Sequence, residues 1–412
     1  MKLHWKIIIS MLFGVAVGFL YNKSGVPDNT LYNIILLLGD IFIRLLKMVI
    51  VPLVLTSIII GISSIKDRTK IGRLGFKTFL YYISTSLIAI LIGLFLANTI
   101  QPGIGATIIS SAESYDTTQL NSSTSILDIL KRMIPINPIA TFANGDMLGI
   151  IFFAVFFGVT LSFVNSKHSS PILNVLNSIY RVMIKMTQII IRCAPIGVFG
   201  LMVKAVSNSG LSIFKELGLY AATIASGLSI HLFIVMPIIL IVFVKINPLI
   251  HFRAIASAMV TAFSTSSSNA TLPITIKCVR DNVKVSNETS SFVLPMGSTI
   301  NMDGTALYEC AGVLFIAQAL GIPLDAGQQF IVVITALLAS IGAAGIPSAG
   351  LVMLFIVTEA VGLQSDAVAI WVGSMLAIDR PLDMFRTMVN ISSDSVGAAV
   401  IAKSEGEKLY NK

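Results

Sequence analysis

Apolar residues run in blocks of about twenty or more along this chain, and polar residues gather in the short gaps between the blocks. A helix satisfies its own backbone in hydrocarbon, so each block predicts a membrane-spanning helix. The pattern predicts helices over residues 5–21, 31–65 and 76–100, then a fourth helical region that ends near NSKHSS at 165–170. Two longer helices are expected over 171–206 and 211–246. Several of these exceed the ~20 residues that cross a bilayer upright, which predicts tilt or extension beyond it.

The pattern changes after residue 250, where the apolar blocks are broken at their centres. One reads AFSTSSSNATLPITI and another ALLASIGAAGIPSAGLVML. In each, a serine opens a run of mostly small residues that a proline closes seven positions later: Ser266 before Pro273, and Ser340 before Pro347. Non-helical backbone at membrane depth survives only where protein or a water-filled cavity satisfies it. A single break of this kind reads as a kinked helix. The pair, bracketing NMDGT at 301–305, predicts two re-entrant hairpins, inverted repeats and a binding site near the bilayer midplane.

Composition narrows the class. The 412 residues are 55% hydrophobic and 12% charged, with mean hydropathy +0.89, against about 25% charged in soluble domains. The chain reads as an all-α polytopic membrane protein. Its net charge of +8 is a topology signal, not a nucleic-acid footprint. KDRTKIGRLGFK at 66–77 carries five basic residues and reads as cytoplasmic, whereas 101–125 carries no Lys or Arg and reads as external. That alternation places the N-terminus inside. The opening MKLHWKIIISMLFGVAVGFL lacks a cleavage site and reads as a retained helix. Cys193, Cys278 and Cys310 lie far apart and suggest neither disulfides nor a CxxC metal site.

The last helical segment, AIDRPLDMFRTMVNISSDSVGAAVIAKSE at 377–405, carries the most chemistry. At ~100° per residue, Asp379, Asp383, Arg386, Thr387, Asn390 and Asp394 fall within an arc of roughly 100°. The other face is apolar, with Leu382, Met384, Phe385, Met388 and Ile391. Three carboxylates and a guanidinium on one face belong toward a bundle interior. An ion-pair ladder alone has no need of Thr387 and Asn390. A small acidic zwitterion needs an anionic acceptor for its ammonium and a bidentate donor for a carboxylate, and Asp383 and Arg386 can supply them. A desolvated sodium ion needs several oxygens, which Asn301, Asp303, Asn390, Asp394 and carbonyls near Gly304 can offer. Transition metals recruit His or Cys, and none of His4, His168, His231 and His251 is expected in this constellation. The cluster also lacks a nucleophile–base arrangement, which argues against an enzyme.

The segments TSSSNATLP, TINMDGTALYE, GIPSAG and LDMFRTMVN resemble the sodium-coupled glutamate/aspartate transporters of the dicarboxylate/amino acid:cation symporter family, which includes the excitatory amino acid transporters. The resemblance is strongest over 257–405. It implies a homotrimer of eight transmembrane helices plus two re-entrant hairpins working as an elevator. Scaffold helices one and two would occupy 1–75, transport-domain helix three 76–100, and an external loop with scaffold helices four and five 101–206. The rest of the transport domain, 207–412, would hold helix six, hairpin one near 252–282, helix seven near 291–319, hairpin two near 326–362 and helix eight near 367–405.

By motif position, the resemblance implies that Asp383 binds the substrate ammonium and Arg386 its side-chain carboxylate. Thr305, Thr387, Asn390, Ser267, Ser268 and the backbone of 346–350, with Ile346 and Gly350 at its ends, complete that site. Three sodium sites are implied: Asn390 and Asp394 with the backbone of Gly297 and Asn301; carbonyls around Thr299, Ser340, Ile341 and Ala343, near the Met302 sulfur; and Tyr82, Thr85, Ser86, Asn301 and Asp303. Glu309 stands where members that exchange potassium or a proton on the return step carry an acid; a structural buried carboxyl is the other reading. Arg386 together with Asp383 points to acidic amino acids. The chain departs from the family at Ser266 and Met384, where relatives place an arginine, and Arg380 stands one turn before Met384. Ala343 replaces a hydroxyl. The resemblance places the protein in the cell membrane with both termini cytoplasmic, and the short loops favour a prokaryotic inner membrane. The expected partners are an acidic amino acid, sodium, lipid and two further copies, with no nucleic acid. The alternatives are a proton-coupled glutamate/aspartate or dicarboxylate symporter of the same fold, and an anion channel or glutamate sensor.

Overall fold

The computed structural model describes residues 3–24, 30–63, 70–106, 131, 134–342, 349–363 and 366–410. All the regular elements among them are helical. The first part of the chain forms α1 (Leu3–Ser24), α2 (Thr30–Ser63) and α3 (Lys70–Ile100). A short α4 (Pro138–Asn144) leads into α5 (Met147–Phe163), α6 (Ser166–Arg192) and α7 (Ala194–Ser209). The expected helix over 171–206 is in fact α6 and α7, bent by 56° between Arg192 and Ala194. Pro195 begins the new helix there, where its missing N–H does no harm. The helix expected over 211–246 is α8 (Ile213–Val244), which contains two π-turns, His231–Val235 and Leu240–Val244.

Two arms follow, α9 (Pro248–Thr265) and α10 (Ser268–Cys278). Between them Ser266 is left-handed at φ 50° and Ser267 is extended. The Ser267 Oγ accepts the Ala270 N–H at 3.2 Å, so the serine run ends one helix and starts the next. A second break separates α11 (Asn287–Ile300) from α12 (Asp303–Ala319), leaving Asn301 and Met302 outside both helices. The second expected hairpin supplies α13 (Ala326–Gly342) and α14 (Ala349–Ala360). Its tip at 343–348, which includes Ala343 and Ile346, lies outside the described residues. The chain ends with α15 (Asp366–Ser404).

Packing divides by neighbours. α1 lies on α7, and α2 packs against α5, α6 and α7. α15 runs among α9, α11, α12 and α8, while α3 packs along α12. The apolar core is continuous through Trp371, Phe315 and Tyr220, whose rings meet at 4.7–5.1 Å. Outside the core, large apolar side chains stay exposed, Phe95 at 67% and Phe163 at 71% among them. A belt of that kind suits lipid, not water. Among the described residues three helices are long and apolar enough to cross a membrane, Thr30–Ser63, Arg73–Ile100 and Ile213–Val244, and a fourth if the bent pair counts as one. The rest of the expected spans are broken, short or, like α15, too charged to pass on composition.

Candidate functional site

The break at Asn301 and Met302 builds the site. A helix start leaves backbone N–H groups without partners. At α12, the Gly304 N–H donates to the Asn390 Oδ1 of α15 at 2.8 Å, so a neighbouring helix supplies the cap. The Asn390 Nδ2 donates on to Thr305 Oγ1 at 3.4 Å. The Asn301 Nδ2 donates to Asp394 Oδ1 at 2.8 Å and to Ser393 Oγ at 3.0 Å. The Asn301 Oδ1 is buried without a partner, an amide oxygen free to meet a cation.

Asp303 opens α12, where the helix dipole favours a negative charge. It is fully buried. Its Oδ1 accepts Ser86 Oγ at 2.6 Å and Thr85 Oγ1 at 3.4 Å from α3. Its Oδ2 accepts Ser393 Oγ at 2.6 Å and lies 2.9 Å from His231 Nε2 of α8. The expectation that no histidine joins the constellation is therefore wrong for His231. The signal was present: an ionisable residue inside an apolar helix marks function by default. Ser393 and Asp379 also lacked assigned roles, although Asp379 already lay on the polar arc. Tyr82 donates to Val293 O at 2.9 Å, and a β-carbon on Gly297 would lie 2.5 Å from both Tyr82 Oη and Asp394 Oδ1. Tyr82, Gly297 and Asp394 thus converge.

The second half of the site surrounds Arg386, which is 1% exposed. Its Nη2 donates to Asp379 Oδ1 at 2.8 Å and Asp383 Oδ1 at 2.9 Å. The guanidinium stacks 3.8 Å from the centre of the Tyr308 ring. Among the described residues Nε and Nη1 have no hydrogen-bond partner. Nη1 lies toward α14: a β-carbon on Gly350 would be 2.8 Å from it and 3.4 Å from Thr305 Cγ2. An acceptor arriving from the α14 side therefore meets the charged Nη1 donor. Thr387 Oγ1 donates back to Asp383 O at 2.8 Å. Arg380 Nη1 stands 3.6 Å from Asp383 Oδ2, so Arg380 turns toward the site.

The remaining expected residues are placed less closely. Ser267 caps α10, and Ser268 is buried in its first turn, on an arm that packs along α15. Thr299 and Ile341 share a cavity of about 310 Å³ with Ser57, Gly61 and Tyr180. Ser340 is buried and donates to Leu337 O at 2.8 Å. The Met302 sulfur accepts Thr305 Oγ1 at 3.9 Å. Glu309 is fully buried on α12, and among the described residues neither carboxyl oxygen has a partner.

The charge balance is the main physical fact about this centre. Asp303, Glu309, Asp379, Asp383 and Asp394 are each no more than 6% exposed, against one equally buried guanidinium, Arg386. Buried carboxylates without counter-charge are strongly unfavourable, so cations or protons must join them. The donors on offer are hard oxygens, which suit alkali cations better than transition metals. Among the described residues no group of three or more His, Cys, Asp or Glu side chains converges to hold a metal ion.

Comparison with known proteins accords with this geometry. The sequence profile of the sodium:dicarboxylate symporter family matches residues 3–404. The Escherichia coli proton/glutamate-aspartate symporter is 35% identical over 98% of this chain and 93% of its own. Mouse excitatory amino acid transporter 3 is 32% identical over 98% of this chain and 86% of its own. Human excitatory amino acid transporter 5 is 32% identical over 96% and 80%.

Proposed function

Since the chain belongs to the sodium:dicarboxylate symporter family, and is a membrane transporter and not an enzyme, we propose that it is a secondary active symporter for L-aspartate and L-glutamate, driven by a sodium gradient. The observation that carries this reading is the excess of buried carboxyl groups over Arg386. A carrier with that imbalance binds an acidic substrate only after cations have neutralised the carboxylates. Substrate binding then uses the unpartnered Nη1 of Arg386 for a carboxylate and Asp383 for the ammonium. Thr305, Asn390, Ser267, Ser268 and the 346–350 backbone complete the pocket. Sodium takes the three groups of oxygens expected from the sequence, around Asp394 and Asn390, around Asp303, and at the Thr299–Ile341 cavity.

The same reading supplies the architecture. Eight helices and two hairpins assemble as a homotrimer in the cell membrane, with both termini cytoplasmic. α1, α2 and α5 to α7 form the static scaffold. α3 and the elements from α8 onward move as an elevator, and the α13–α14 hairpin gates the site.

Proton coupling is the second reading. It is favoured by Glu309, buried without partners, and by the E. coli relative named for proton coupling. Uptake of labelled L-aspartate into proteoliposomes separates the two. A sodium gradient at equal pH is expected to drive accumulation above the equilibrium level. Accumulation driven by a pH gradient in the absence of sodium would overturn the sodium reading in favour of the second. Internal potassium that speeds uptake would assign Glu309 to the return step.

A further inference from the structure

The histidine on α8 is the partner of Asp303 that sequence reasoning excluded, and its placement is unusual. His231 opens a π-turn, in which the Met236 N–H reaches back to the His231 carbonyl. Pro237 follows directly; its ring lacks an N–H and would clash with the carbonyl four residues earlier, so a widened turn relieves the crowding. π-turns inside α-helices concentrate at functional sites. This one delivers a fully buried imidazole to within 2.9 Å of Asp303 Oδ2.

An ionised carboxylate only accepts hydrogen bonds, so the contact with an ionised Asp303 calls for the imidazole tautomer with its proton on Nε2. Among the described residues, the other donors to Asp303 are Ser86, Thr85 and Ser393. All three are hydroxyls. A hydroxyl can rotate its hydrogen away and turn a lone pair toward an arriving cation. An imidazole N–H cannot. His231 is therefore the donor that keeps its bond whether or not a cation is present.

We propose that His231 is a positioning residue for the cation site at Asp303. Its Nε2–H pins Oδ2 in both states, which presents Oδ1 and three reorientable hydroxyls to the ion. The inference rests on the sodium-coupled reading above. A bond kept in both states acts on sodium affinity through the preorganisation of Oδ1, so losing it is expected to weaken sodium binding by about tenfold or more.

The test uses the purified full-length protein in detergent, with sodium titrated by calorimetry and through its effect on L-aspartate binding. His231→Leu is expected to raise the half-saturating sodium concentration at least about tenfold, while L-aspartate affinity at saturating sodium stays near that of the wild type. His231→Gln, which restores an N–H at similar reach, is expected to recover most of the loss. A Leu variant that binds L-aspartate and shows wild-type sodium dependence overturns the inference. So does a Gln variant no better than Leu. Should the Leu variant not fold, nitrogen NMR of histidine-labelled wild type decides instead, with the His231 signals assigned by their loss in His231→Gln. An Nε2–H tautomer with and without sodium supports the positioning role, and a tautomer that changes on sodium addition overturns it. A wild type that binds L-aspartate without any sodium dependence overturns the underlying reading, and this inference with it.

Discussion

Replacing Arg386 tests the substrate assignment most directly, and the choice of replacement matters. The guanidinium does two things. Its Nη2 neutralises Asp379 and Asp383 at 2.8 and 2.9 Å, and its Nη1, beside Gly350, is unpaired among the described residues. Removing it entirely leaves two buried carboxylates uncompensated, which is expected to destabilise the protein by about 3–5 kcal/mol. Arg386→Ala therefore mixes folding with binding. Arg386→Lys keeps the charge beside the aspartates but replaces the planar fork with a single ammonium. A charge-assisted bond is worth about 1.5–3 kcal/mol, so losing the Nη1 bond to the substrate carboxylate is expected to weaken L-aspartate binding roughly tenfold to a hundredfold. The assay is L-aspartate affinity at saturating cation, with thermal unfolding as the control. L-serine, which has no side-chain carboxylate, serves as the comparison ligand and is expected to gain relative to L-aspartate. An Arg386→Lys protein that is folded, stable and unchanged in L-aspartate affinity would refute the assignment of the fork to the substrate carboxylate.

Other perturbations address other parts of the centre. Gly297→Ala would put a β-carbon 2.5 Å from Asp394 Oδ1 and Tyr82 Oη, so cation-dependent substrate binding is expected to fail although the helix tolerates alanine; calorimetric sodium titration reads it. Glu309→Gln is expected to retain substrate binding and exchange of labelled for unlabelled L-aspartate but to lose net uptake, because the buried carboxyl can no longer take a cation or proton on the return. Glu405, beyond the end of α15, is held below the usual carboxylate range by its bond to Lys77 and then by Arg73. Its folded pKa is depressed, so its contribution to stability is present above the ordinary Glu value near 4.5 and is lost as pH falls through the lower folded value. Glu405→Gln is thus expected to lower the unfolding temperature at pH 7 but to match wild type in strong acid. The effect stays within about 1 kcal/mol because the pair is at the surface. Glu407 accepts the Ser286 N–H at 2.7 Å and Thr289 Oγ1 at 2.6 Å at the start of α11, and Glu407→Ala is expected to cost about 0.5–2 kcal/mol of stability, as loss of a helix cap does.

What the sequence made legible was local in character. The serine run at 264–268 ends α9 through a left-handed Ser266, and small polar residues in an apolar block announce such a break. The polar arc of α15 followed from helical periodicity, and its residues do share one buried face. What escaped was the meeting of distant elements. His231 belongs to a helix read as one long apolar block, and its contact with Asp303 joins residues 72 positions apart. Likewise the bend between α6 and α7 came from a single proline in a block whose hydropathy is continuous. Span counting by composition meets the opposite difficulty: α15 carries the charges of the site itself, and it is not among the helices long and apolar enough to cross a membrane.

Coupling in the proposed cycle follows from how the break at 301–302 is stitched to α15. Linked binding requires an element that both ligands bias. Asn301 holds Asp394 and Ser393, the Gly304 N–H is held by Asn390, and Asn390 also holds Thr305. These contacts join the non-helical link and the first turn of α12 to one stripe of α15, and Arg386 lies one turn before Asn390 on that stripe. A cation that draws in Asn301 Oδ1 and the Asp394 carboxylate must settle this link, and the link carries Thr305 and Gly304 toward Arg386. Charge acts in the same direction: each cation bound removes one uncompensated carboxylate and makes the next negative charge, that of the substrate, less unfavourable to bury. Two separate pockets on rigid helices would give the electrostatic part alone. The broken helix adds a mechanical part, because the residues that feel the cation and the residues that shape the substrate pocket are five positions of one short segment.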